Sequence, residues 1–131
     1  MIGLDTNVLV RYIMQDDAKQ SPKASKLIEA LTIDEPGFVS IVSIVELVWV
    51  LSSAYGLVRE QIGQALEALL RTKELSIDRA DQVLKALRVF RTTSADFADC
   101  LIERSASSAG CGRTMTFDVD AAKVAGMTLI Q

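Results

Sequence analysis

Met1 to Leu4 is a short apolar run that stops at Asp5, after which Val8, Leu9, Tyr12 and Ile13 recur at helical spacing. This unit, a strand followed by an amphipathic helix, recurs along the chain and constrains its architecture more than any other feature. Pro22 at an N-terminal position, with Ala24, Leu27, Ile28 and Leu31 on one face, predicts a helix from Ser21 to Leu31. Glu35-Pro36-Gly37 then breaks the chain before a strand from Phe38 to Ile41 and a helix from Ser43 to Tyr55, stopped by Gly56. Arg59 to Leu70 reads as a helix, Leu75 to Ile77 as a strand, and Val83, Leu84, Leu87 and Phe90 mark the helix after it. Asp96 to Ala109 is another helix, ended by Gly110. Thr114 to Phe117 and Met127 to Ile130 are the last two strands, around a short helix from Asp120 to Ala125.

Strands that alternate with helices pair in parallel through crossovers. The expected fold is therefore α/β, a three-layer α/β/α domain with a central five-stranded parallel sheet. At 131 residues, with no repeat, linker or low-complexity segment, residues 1–131 read as a single domain. Half of the residues are hydrophobic, which leaves apolar surface to spare for a partner and makes oligomerisation an expectation.

The run from Phe38 to Leu57 has about the length of a bilayer span, but Glu46 sits near its middle and Ser and Gly interrupt it, so no membrane segment is expected. Cys100 and Cys111 have neither the number nor the spacing of a disulfide scaffold or a zinc site. A reducing cytoplasm fits them best, and Cys100 reads as a small core residue. The chain has no histidine, which excludes Ser-His-Asp and Cys-His nucleophiles, histidine acid/base pairs and His-ligated zinc. Chemistry here has to run on carboxylates, lysine, tyrosine, cysteine or a hard metal ion.

Four carboxylates share one local setting. Asp5 ends the first strand and begins a helix, Glu46 stands in the first turn after the second strand, Asp99 in the first turn of its helix, and Asp118 ends the fourth strand. Strand carboxyl ends and helix N-termini of an open α/β sheet face one crevice, so the four can converge. Glu46 is the conspicuous one, because SIVSIVELVWVL, Ser40 to Leu51, is otherwise aliphatic, aromatic or Ser. An unpaired carboxylate buried there needs compensation.

Each has a local alternative. Ser43-Ile-Val-Glu46 matches a capping box, in which Glu46 would reach back to the amide of Ser43, and Asp96 with Asp99 can cap another helix. Together, four carboxylates with no neighbouring Lys or Arg call for a hard, oxygen-seeking ion such as Mg²⁺ or Mn²⁺, which suits phosphodiester hydrolysis. The net charge of −3 looks wrong for a nucleic-acid binder, but setting the four aside leaves 13 acidic residues against 14 basic. Arg11, two turns into the helix that Asp5 begins, is the best single candidate for a substrate-phosphate contact. Aromatic residues make up only 5%, so base stacking on a sheet face is not expected.

LDTNVLVR (Leu4 to Arg11), SIVSIVEL (Ser40 to Leu47), DFADCLI (Asp96 to Ile102) and TFDVDAAK (Thr116 to Lys123), in that order, resemble the PIN-domain nucleases. Within them the chain is most similar to VapC-type toxins of type II toxin-antitoxin pairs. The resemblance implies a metal-dependent endoribonuclease in which Asp5, Glu46, Asp99 and Asp118 bind one or two Mg²⁺ or Mn²⁺ ions. Thr6, Asn7 and Thr116 would orient them, with Asp96 and Asp120 as further candidates behind the quartet. It also implies RNA as substrate, 5′-phosphate and 3′-hydroxyl products, a cognate antitoxin protein, and a homodimer. The helix from Ser43 to Tyr55, apolar nearly all round, is then either central to the domain or the seam for such a partner. A catalytically silent binding module, or a DNA or flap nuclease of the same fold, is the alternative.

Overall fold

The computed structural model describes residues 1–131 and contains seven helices and five strands in the expected alternation. The chain divides into two compact units, Met1–Ala80 and Asp81–Gln131.

The first unit holds strands β1 (Ile2–Gly3), β2 (Gly37–Val39) and β3 (Leu75–Ile77), paired in parallel in that order. Ile2 lies opposite Gly37 and Gly3 opposite Phe38, while Gly37, Phe38 and Val39 face Leu75, Ser76 and Ile77. Helices α1 (Thr6–Met14) and α2 (Gln20–Glu29) carry the chain from β1 to β2, and α3 (Ile41–Ser53) and α4 (Arg59–Arg71) carry it from β2 to β3. Leu9, Val39, Leu47, Leu51 and Leu66 are completely buried. Central strand β2 begins on a glycine for a packing reason. A Cβ at Gly37 would lie 2.8 Å from the Cδ1 atoms of both Leu31 and Leu4 and 3.1 Å from Cδ2 of Leu75.

Helix α3 starts earlier than its sequence suggests. Ser40, in extended backbone, is its N-cap, and its Oγ accepts from the Ser43 N–H at 3.1 Å. The helix buries Ile44, Leu47, Val48 and Leu51, whereas Val42 and Trp49 are 64% and 68% exposed. One side of α3 thus belongs to the core of its unit, while the other is open, with Val42 and Trp49 on either side of Glu46. Gly56, at φ +64°, ends the segment where the sequence places the stop, in the left-handed region that costs a glycine little.

The second unit comprises α5 (Ala80–Thr92), α6 (Phe97–Ser108), β4 (Met115–Thr116), α7 (Val119–Val124) and β5 (Thr128–Leu129). The rings of Phe90 and Phe97 meet edge to face at 5.7 Å. Cys100 is buried, as a core residue would be, and Cys111 is exposed. Strands β4 and β5 pair in parallel, Met115 opposite Thr128 and Thr116 opposite Leu129.

All five expected strands form, but their hydrogen bonds make a three-stranded and a two-stranded ladder rather than one five-stranded sheet. Each of β4 and β5 is two residues long, and the short α7 between them favours their pairing with each other. The apolar run from Phe38 to Leu57 is split between β2 and α3, and no helix is long and apolar enough to cross a membrane.

Candidate active site

In the first unit, Asp5 is the N-cap of α1. Its backbone is extended, at φ −77° and ψ 158°, and its Oδ1 accepts from the Thr6 N–H at 2.8 Å. The cap satisfies one of the backbone N–H groups that the first turn leaves without a partner. The hydroxyl of buried Thr6 donates to Oε1 of Glu46 at 3.1 Å, so one threonine touches both carboxylates. Oδ2 of Asp5 and Oε2 of Glu46 make no hydrogen bond.

These contacts correct two expectations for Glu46. The capping box through Ser43 does not form, because Ser40 already caps α3 and Glu46 is one turn too deep to reach back. Nor is Glu46 a buried charge. It is exposed on the outward face of α3, between Val42 and Trp49, where water and the Thr6 hydroxyl satisfy it. The apolar residues on either side of it in sequence turn to other faces of the helix.

In the second unit, Asp96, Asp99, Asp118 and Asp120 line one cleft of about 380 Å³, with Ser94 and Ala121 among its other walls. No lysine or arginine lines it. Asp96 caps α6, accepting from the Asp99 N–H at 3.3 Å. Asp118 caps α7, its Oδ1 accepting from the N–H groups of Asp120 and Ala121 at 2.8 and 3.2 Å. Thr116 Oγ1 accepts from the Asp118 N–H at 3.0 Å and holds the start of that cap. The side chain of Asp99 makes no hydrogen bond. Partial burial, followed by the charges of Asp96 and Asp118, pushes its carboxyl above the usual range.

The donor set fits a divalent cation. In the second unit the carboxylates line one cleft with no lysine or arginine on its walls, and Asp118 leaves one oxygen open; in the first unit Asp5 and Glu46 each leave one oxygen open. No three acidic or cysteine side chains are already gathered closely enough to enclose an ion.

Asn7 and Arg11 lie elsewhere on α1, on the wall of a separate cleft against α2. Arg11 is held by Asp16 and Tyr55, a pairing for which the sequence carries no signal, since Tyr55 comes 39 residues after Asp16 and neither belongs to a motif.

A parallel α/β chain with acidic helix caps at the ends of its strands defines a known class. A PIN domain family model matches residues 2–127, and the chain belongs to that family. It is 25% identical over 114 residues to the VapC ribonuclease of Aquifex aeolicus (strain VF5), covering 87% of this chain and 84% of that protein. The crystal structure of VapC20 from Mycobacterium tuberculosis, described as a sarcin-ricin loop cleaving toxin, aligns over 100% of this chain and 99% of that one, with 17% identity and a TM-score of 0.47.

Proposed function

We propose that this chain is a divalent-metal-dependent endoribonuclease and the toxin of a toxin-antitoxin pair. The observation that carries the reading is the cleft lined by Asp96, Asp99, Asp118 and Asp120 with no lysine or arginine on its walls, in a PIN-family chain related to a VapC ribonuclease. Asp5 and Glu46 in the first unit, and Asp99 and Asp118 in the second, are the carboxylates we assign to Mg²⁺ or Mn²⁺, which they would hold through hard oxygen donors. Such an ion would lower the pKa of a water and stabilise charge on the oxygens of an in-line displacement. The chain's own residues do the positioning. Helix N–H groups orient Asp5 and Asp118, Thr6 fixes Glu46, and Thr116 fixes the backbone at Asp118. Asp96 and Asp120 add negative charge to the cleft and favour the cation further. Water is the nucleophile, and the products carry 5′-phosphate and 3′-hydroxyl ends.

The test is RNA cleavage by protein stripped with EDTA and then supplied with Mn²⁺. Restored cleavage to 5′-phosphate ends is expected. Full activity in EDTA, or 2′,3′-cyclic phosphate products, would sink the mechanism. A second reading, a silent binding module whose carboxylates only cap helices, draws on the caps that Asp5, Asp96 and Asp118 do form. It requires that Mn²⁺ leave the melting temperature unchanged.

The outer end of α3 at Trp49, beyond Glu46, is the surface we assign to a second copy of the chain, which leaves Glu46 open to its site. A cognate antitoxin is the other protein partner. Neither Cys100 nor Cys111 is in a disulfide, which suits a reducing cytoplasm.

A further inference from the structure

We propose that the cleft between α1 and α2 is a subsite for a backbone phosphate of the RNA, next to the scissile one; this inference rests on the ribonuclease reading. The cleft, about 260 Å³, has polar walls of Asn7 and Arg11 from α1 and Gln20 and Lys23 from α2, over apolar Val8 and Leu27. No carboxylate lines it.

Its donors are pre-positioned, and some of them are unused. Arg11 Nε donates to Gln20 Oε1 at 2.8 Å, and Nη1 donates to Asp16 Oδ1 at 3.3 Å and to the Tyr55 hydroxyl at 3.1 Å. Tyr55 in turn donates to Asp16 Oδ2 at 2.8 Å, which closes the ring. The guanidinium is thereby fixed with Nη2 unbonded. Gln20 accepts through its oxygen and keeps its amide N–H groups, while the side chains of Asn7 and Lys23 make no hydrogen bond or ion pair. Asp16 and Asp17 both act on Arg11, which leaves Lys23 as the cation on the cleft wall with no acidic partner of its own.

Donors arriving from two walls suit the tetrahedral oxygens of a phosphate better than the two coplanar oxygens of a carboxylate. The apolar floor accepts the sugar or base that comes with it. Arg11 follows Asp5 by six residues, about 9 Å along the helix axis, so the subsite serves a flanking nucleotide rather than the reacting phosphate.

Lys23→Gln and Lys23→Glu test this without endangering the fold, because Lys23 is exposed and unpaired. Binding of a short labelled single-stranded RNA of randomised sequence is measured in metal-free buffer across a salt series. Lys23→Gln should weaken binding about tenfold and lower the slope of log K against log salt by about 0.7, the value for one lost single-strand phosphate contact. Lys23→Glu should weaken it further. Unchanged affinity and slope in both variants overturn the subsite, even if wild-type cleavage remains Mn²⁺-dependent. The same result with lost binding of an oligoglutamate peptide assigns the cleft to an acidic protein segment and also overturns it. The expected slope change in a protein that cuts no RNA in Mn²⁺ keeps the subsite and removes the nuclease reading instead.

Discussion

The hydroxyl of Thr6, in the first turn of α1, donates to the carboxylate of Glu46, 40 residues later on α3, at 3.1 Å. Thr6→Val removes this donor and keeps the shape. A loss of about 1 kcal/mol in a urea melt is expected, together with Mn²⁺ affinity about 10–100-fold weaker by calorimetry. Unaltered Mn²⁺ affinity would count against Glu46 as a ligand.

Glu46→Gln separates charge from hydrogen bonding, since the amide oxygen still accepts from Thr6. Stability should stay within about 0.5 kcal/mol of wild type, because the side chain is exposed. RNA cleavage in Mn²⁺ should fall about 10²–10³-fold.

Asp99 makes a pH-dependent prediction for the metal-free protein. Its carboxyl is raised in the folded state, first by burial and then by Asp96 and Asp118, so between the unfolded and folded values the native state binds more protons. The resulting penalty is fully present above the folded value and disappears below the unfolded one, about 3.9. Asp99→Asn should therefore melt higher than wild type at neutral pH, and the difference should vanish near about pH 3. Equal melting temperatures at neutral pH would refute this.

Trp49, the only tryptophan in the chain, is 68% exposed. Trp49→Glu should leave monomer stability nearly unchanged but weaken self-association by about 2 kcal/mol or more in sedimentation equilibrium. A dimer as tight as wild type would place the seam elsewhere.

Ser40→Ala should cost about 1 kcal/mol, as the loss of an N-cap does, and Ser43→Ala should cost less. The reverse order would restore the capping box of Ser43 and Glu46.

The helices and strands were legible because apolar spacing and glycine stops are local signals. Leu75–Ile77 falls where expected, Asp5 begins a helix after its apolar run as read, Asp96 caps α6 as its pairing with Asp99 suggested, and Asp118, read as the end of a strand, also caps α7. Strand pairing was less legible. Nothing in the composition of Met115–Thr116 or Thr128–Leu129 says that they pair with each other. The start of α3 was misplaced because Ser40 and Ser43 are both competent caps, and the choice falls to Ser40 where the chain leaves β2 in extended form. Glu46 misled in the same region, because an apolar sequence is not a buried one when α3 leaves a face to solvent. The hold of Asp16 and Tyr55 on Arg11 depends on side chains brought together only by folding.

Asp5 and Asp118 each divide their two oxygens between a helix N-terminus and open space. Folding alone satisfies the first oxygen of each pair. If the second oxygens hold the ion that the proposed reaction needs, a cell short of divalent ions would silence the protein without unfolding it, and activity would return with the ion.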